Sequence, residues 1–281
     1  MAYIVTPPPP RKLLTSLSGF LDANKKWLKS QSTEDEGFLG QFWYRGVNQR
    51  FPNESPGVYR DLFTKRAGRL TTKGDTEEKR LRLEREMLSQ FRVAGASHLN
   101  RESLTEIYFM AQHHGMPTRL LDWSTNPLAA LFFACENKDD LDGMVYAMDA
   151  RKVIPSLAMK DAKHKLYPGV MTMRNSFVNQ AIHQSFWQEL PPGTNPHVLP
   201  IRPEFIPGRV TQQSSCFTLH MHRANPVKNE SLITLAVAGK KKAKIRDELH
   251  RLNINAFTIY PSLDRLSQVL TERWETSKGT P

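Results

Sequence analysis

Three observations predict a single α+β domain with a helical N-terminal portion. Short aromatic or alternating segments that read as strands are interspersed with longer amphipathic segments that read as helices. No sharp change of composition divides the chain, and no internal repeat occurs. At 281 residues the chain can bury a substantial core, which its 14 Phe and 5 Trp help to fill.

The elements follow in order. Pro7 to Pro10 cannot be helical and reads as a stiff polyproline segment. From Leu13 to Lys29, Leu14, Leu17, Leu21 and Leu28 recur at helical spacing, with Phe20 and Trp27 widening the face. Ser30 to Gly37 is a polar, acidic loop. The aromatic stretch Phe38 to Val47 reads as a buried strand centred on Phe42-Trp43-Tyr44 and ending at Arg45-Gly46. Asn48 to Gly57 is a loop, and Tyr59 to Arg69 is irregular or briefly helical.

Asp75 to Ala94 is the clearest helix. Asp75 or Thr76 can cap it, and Leu81, Met87, Leu88 and Phe91 make its inner face, with the Lys, Arg and Glu residues solvated. A second runs from Glu102 to His113. A third starts at Pro127, with Asn126 as cap. Gly143 to Asp149 is a strand, Arg151 to His197 carries no clear pattern, and Val198 to Pro207 is broken by prolines. Strands are expected at Gln213 to Met221, Leu232 to Val237 and Ala256 to Tyr260. Helices are expected at Ala243 to Leu252 and Ser262 to Trp274.

Composition narrows the function. A net charge of +11 attracts polyanions, whether nucleic acid, nucleotide phosphates or an anionic surface, although a basic surface can also be merely soluble. Lys240-Lys241-Lys242 with Lys244 and Arg246 forms a basic run that is either a solvated face or a nucleic-acid contact. Cys135 and Cys216 alone define neither a disulfide framework nor a metal-ligand pattern. No apolar run reaches membrane-span length and the N-terminus lacks a signal-peptide layout, so a cytoplasmic protein is expected.

Chemistry concentrates in one place. Gln112-His113-His114-Gly115-Met116-Pro117-Thr118-Arg119-Leu120-Leu121-Asp122-Trp123-Ser124-Thr125-Asn126-Pro127 reads as loop-like, and Leu128 to Cys135 follows as an apolar run. Ionisable side chains so close to a buried helix are either paired or used. Arg119 and Asp122, three apart, can form an ion pair that clamps the loop. Asp122 can instead align His113 or accept a ribose hydroxyl. Adjacent His113 and His114 diverge, so they cannot readily share a metal, and no metal site is expected.

Four blocks resemble the FRG domain family. They are Phe42-Trp43-Tyr44-Arg45-Gly46, then Ala111 to Ser124 with Pro127 and Ala130 to Ala134 behind it. Arg209-Val210-Thr211-Gln212-Gln213 with Phe217 to His220 is the third, and Tyr260 to Leu266 the last. In the third block Ser214-Ser215-Cys216 stands where the family usually has a glycine. The resemblance spans 38–266 as a catalytic or binding domain, with 1–37 as a proline-rich and helical extension and 267–281 as a helix end and tail. The layout is also similar to ADP-ribosyltransferases of the arginine-serine-glutamate type. That similarity implies a split β-sheet core with flanking helices. It further implies NAD as substrate and ADP-ribosyl transfer or NAD hydrolysis, in a setting such as a toxin or phage-defence effector.

The same resemblance implies the roles. Arg45 with Gly46 would meet the phosphates or adenosine ribose, unless Arg45 merely pairs a carboxylate or carbonyl. Ser124 and Thr125 would orient the nicotinamide ribose, or else serve the helix cap with Asn126. Gln112 and Arg119 would assist binding, and His113 is the histidine that would face the cleft. Gln212 and Gln213 stand where a catalytic Glu belongs. An amide can orient a hydroxyl but cannot supply negative charge, so Asp122, Glu204 or Glu86 would have to supply it. Otherwise the fold binds a nucleotide or nucleic acid without catalysis. Trp123, Phe132 and Phe133 read as core. A hydrolase based on His113 and Asp122 lacks a nucleophile.

Overall fold

The computed structural model describes residues 12–31, 41–50, 55–60, 77–99, 102–153, 170–174, 178–179, 182, 198–203, 214–221 and 232–277. The polyproline segment, the helix cap at Asp75 or Thr76 and most of Arg151 to His197 lie outside these residues.

The architecture is α+β, built on a mixed eight-stranded sheet with the order β1-β8-β4-β2-β3-β7-β6-β5. The strands are β1 Leu13–Leu14, β2 Phe42–Val47, β3 Leu120–Ser124, β4 Gly143–Asp149, β5 Met171–Thr172, β6 Val198–Arg202, β7 Ser215–His220 and β8 Ile233–Val237. The helices are α1 Leu17–Ser30, α2 Glu77–Ala94, α3 Leu104–His113, α4 Pro127–Cys135, α5 Lys242–Arg251, α6 Ala256–Ile259 and α7 Leu263–Ser277.

The middle of the sheet is its weakest seam. β2 pairs with β4 over six residues, Phe42 to Val47, and β3 with β7 over five, Leu120 to Ser124. Between β2 and β3 there is a single register pair, Tyr44 with Ser124. The sheet therefore opens along this line into two four-stranded halves.

Helices cover one face of both halves, since residues opposite one another in register share a face. Over the β2 half, α1, α4, α5 and α6 pack Phe20, Trp27, Leu131, Ile245, Leu249 and Ile259 against Tyr44, Val145 and Ala147. Over the β3 half, α2 and α3 pack Leu88, Ile107 and Phe109 against Leu120, Phe217 and Leu219. Asp122 and Ser124 lie on this face beyond Leu120, where the apolar pattern of β3 gives way to polar residues. The opposite face buries Trp43, Leu121, Trp123 and Tyr146.

Several sequence expectations change. Leu13 and Leu14 do not begin the first helix but pair in parallel with Ala236 and Val237. Ser16 caps α1 by accepting the Gly19 N–H, and Leu21 is exposed while Leu17, Phe20, Asn24 and Trp27 face inward. The segment before Pro127 is not all loop, because its last part is β3. Val198 to Arg202 is a strand despite Pro200. Its outer neighbour β5 pairs only with Ile201 and Arg202, so the proline sits beyond that ladder. Ala256 to Tyr260 is helical rather than extended, because Asn255 accepts the Phe257 and Thr258 N–H groups while Thr258 answers in a capping box.

The inner face of α2 is also different. Arg80, Glu84 and Leu88, four apart, are buried, whereas Leu81 and Met87 are only half-buried. Two charges survive there because they are satisfied. Glu84 Oε2 accepts from Arg119 Nε at 2.8 Å, and Oε1 accepts from the Arg119 N–H and the Tyr108 hydroxyl. Arg80 donates to the Val58 carbonyl.

Candidate functional site

A crevice of about 270 Å³ opens at the seam, lined by Tyr44, Arg45 and Gly46 from β2 and Asp122, Trp123 and Ser124 from β3. Phe133, Ser215 and Tyr260 complete its wall.

β2 supplies the cation. Arg45, in register with Tyr146 of β4, donates from Nη1 to the Asp122 carbonyl at 3.0 Å. Gly46 beside it has a structural duty. A Cβ there would lie 1.8 Å from the Ala130 carbonyl oxygen, so only glycine lets α4 rest on β2. Tyr44 is buried under Trp27, with ring centroids 6.0 Å apart, and burial pushes its phenol up to about 12 against a hydrogen bond to Asn24 that lowers it.

β3 supplies the polar floor. Asp122 is exposed, and its Oδ2 accepts from Gln112 Nε2 at 2.9 Å. Gln112 Oε1 in turn accepts from the Thr118 hydroxyl, and Thr118 Oγ1 accepts the Leu120 N–H at 3.1 Å. Ser124 is buried, and its hydroxyl oxygen accepts the Asn126 N–H at 2.9 Å. Trp123 points the other way, donating from Nε1 to Thr218.

Two loops close the ends. Thr125 donates its N–H to the Ser214 carbonyl at 3.0 Å, which ties the end of β3 to the start of β7. Asn126 accepts the Leu128 and Ala129 N–H groups, with Pro127 in the first turn, as a helix start requires. Phe133 meets Tyr260 edge to face with centroids 5.8 Å apart, and the Arg265 guanidinium lies 5.5 Å from the Tyr260 ring.

The expected site residues divide accordingly. Arg45, Gly46, Asp122 and Ser124 line one crevice, and Gln112 reaches it through Asp122. Thr125 and His113 are not among the lining residues, and the His113 ring instead meets His114 edge to face. Arg119 does not pair with Asp122. The guanidinium is instead fully buried against Glu84 of α2, while the Asp122 carboxylate accepts from Gln112. Glu86 lies on the exposed side of α2, paired with Arg82. Gln212, Gln213 and Glu204 lie outside the described residues.

The basic run is only partly a surface. Lys242 is buried and donates to the Asn48, Asn137 and Lys138 carbonyls, and Arg246 pairs with Asp139 and donates to the Cys135 carbonyl. Lys240, Lys241 and Lys244 are exposed. Among the described residues no helix is long and apolar enough to cross a membrane.

Sequence reasoning did not single out Tyr44, Phe133, Ser215 or Tyr260 as lining residues. Tyr260 had one signal, its place at the head of the closing block. The others depend on the seam, which strand patterns do not reveal.

No curated protein and no solved structure matches the chain. The FRG domain family model matches residues 40–143, which run from just before β2 to the first residue of β4. Arg45, Gln112, Asp122 and Ser124 all fall within that stretch, and residues 40–143 are an FRG domain.

Proposed function

We propose that the crevice binds NAD and that the protein breaks its nicotinamide–ribose bond, as an ADP-ribosyltransferase or NAD hydrolase. The observation that supports this most is the meeting of Arg45, Asp122 and Ser124 in one crevice at the seam between β2 and β3. A dinucleotide needs a cation for its pyrophosphate, hydroxyl or carboxylate groups for ribose, and an aromatic surface for a ring. Arg45, then Asp122 and Ser124, then Tyr260 with Phe133 offer these in turn. The volume, 270 Å³, lies near the lower bound of roughly 300 Å³ for small-molecule sites, room for part of a dinucleotide.

The test is nicotinamide release from NAD by the full chain. Wild type is expected to release nicotinamide and Arg45→Ala to abolish it. No release together with no NAD binding by calorimetry removes the reading. A second reading, a nucleotide-binding module without turnover, is favoured by Gln212 and Gln213 standing where a Glu is usual. Its signature is saturable binding with no nicotinamide.

A further inference from the structure

We infer that Asp122 is the carboxylate that faces the reacting ribose, and that Gln112 and Thr118 are positioning residues that hold it there. This rests on the NAD-cleaving reading and gives its carboxylate a specific role and a means of being held.

Asp122 and Ser124 lie two apart on β3 and share a face, so both project toward the same part of the crevice. An exposed aspartate ordinarily samples several rotamers. Here the residue is held at two points, its backbone and one carboxylate oxygen. Arg45 fixes the backbone through the Asp122 carbonyl, and Gln112 fixes the side chain through Oδ2.

Gln112 is itself fixed. Its nitrogen end donates to Asp122 and its oxygen end accepts from Thr118, so the amide has one orientation that satisfies both. Thr118 is fully buried and also accepts the Leu120 N–H. The next residue, Arg119, hangs from Glu84 and Tyr108 by its backbone N–H. The chain of bonds therefore starts in the core and ends on one exposed carboxylate oxygen. Oδ1 makes no hydrogen bond among the described residues, and Asp122 lines the crevice, so this oxygen is available to a ligand there.

The chemistry balances without a further reagent. The bond from ribose C1′ to the nicotinamide nitrogen breaks, and its electron pair goes to that nitrogen, which becomes neutral. Positive charge spreads over C1′ and the ring oxygen, where the Asp122 carboxylate stabilises it. Water then adds at C1′ and releases a proton to solvent, giving ADP-ribose, nicotinamide and H⁺. A group that need not reorganise as this charge develops is worth more than a mobile one.

Steady-state nicotinamide release from NAD tests this in the full chain. Asp122→Asn is expected to lower kcat by about 100-fold or more. Gln112→Ala and Thr118→Val are expected to lower kcat roughly tenfold with KM unchanged, a loss confined to the transition state. Thr118→Ser, which keeps the hydroxyl, is expected to recover most of that loss. Thermal melting of each variant separates this from simple unfolding, and Gln112, half-exposed, can be trimmed without opening the core. Wild-type kcat in Asp122→Asn, with Arg45→Ala inactive, overturns the inference and leaves the NAD reading standing. So does a loss in Gln112→Ala that appears in KM alone. A wild type that releases no nicotinamide and binds no NAD overturns both.

Discussion

Charge burial at single residues is the sharpest feature of this molecule. Arg119 and Glu84 are both fully buried, and desolvation works against the guanidinium while the facing carboxylate holds it charged. Removing one partner leaves an uncompensated ion. Glu84→Gln is therefore expected to lower the unfolding free energy by about 3–5 kcal/mol in urea titration, whereas replacing both Glu84 and Arg119 by methionine costs far less. Ser214 is a second such point. Its φ of 49° lies in the left-handed region, which glycine adopts more readily than serine. Ser214→Gly is expected to stabilise the fold by roughly 1 kcal/mol, read from the same titration.

At the scale of elements, the approach of α4 to the sheet decides the site. Gly46 and Gly143 both admit α4 backbone, with a Cβ meeting the Ala130 oxygen at 1.8 Å and the Ala134 oxygen at 2.1 Å. The same helix carries Phe133 to the crevice wall and begins two residues after Thr125. Gly46→Ala is expected to displace α4, to destabilise by about 1–3 kcal/mol and, on the proposed NAD reading, to lower NAD binding measured by calorimetry. Destabilisation without any loss of binding would show that α4 and the crevice are uncoupled. The start of α4 was legible, because Asn126 caps it just ahead of Pro127. The beginning of α1 was not, because Leu13 and Leu14 satisfy a helical pattern and a strand equally. Their pairing with β8, more than 200 residues onward, settles the matter.

Across the whole molecule, the two cysteines report on the integrity of the core. Cys135 is buried beneath α5, which pushes its thiol up to about 12, and burial raises Cys216 well above its ordinary value. Burial disfavours the thiolate, so the nucleophilic form is scarce at neutral pH. A thiol reagent at pH 8 is expected to modify neither in the native protein and both after denaturation. Rapid native labelling of Cys216 would mean that the β3–β7 region opens. The basic balance of the chain likewise has two parts at this scale. Lys242 and Arg246 hold the end of α4 to its surroundings, and Lys240, Lys241 and Lys244 face solvent.

What the linear chain determined by itself was local. Aromatic runs, capping residues and periodic apolar positions specify most strands and helices, since those preferences act within a few residues. The blocks around Arg45 and Asp122 stand out in the sequence for the same reason, and the fold brings both residues to one crevice. Tertiary structure alone decided which charges face inward and which partners they take. Glu84 looks like one solvated charge among many on α2 until Arg119, 35 residues away, arrives against it. It also decided that β2 and β3 meet only at the pair Tyr44 and Ser124 and part elsewhere, because a seam is a property of two strands meeting and neither strand encodes it alone.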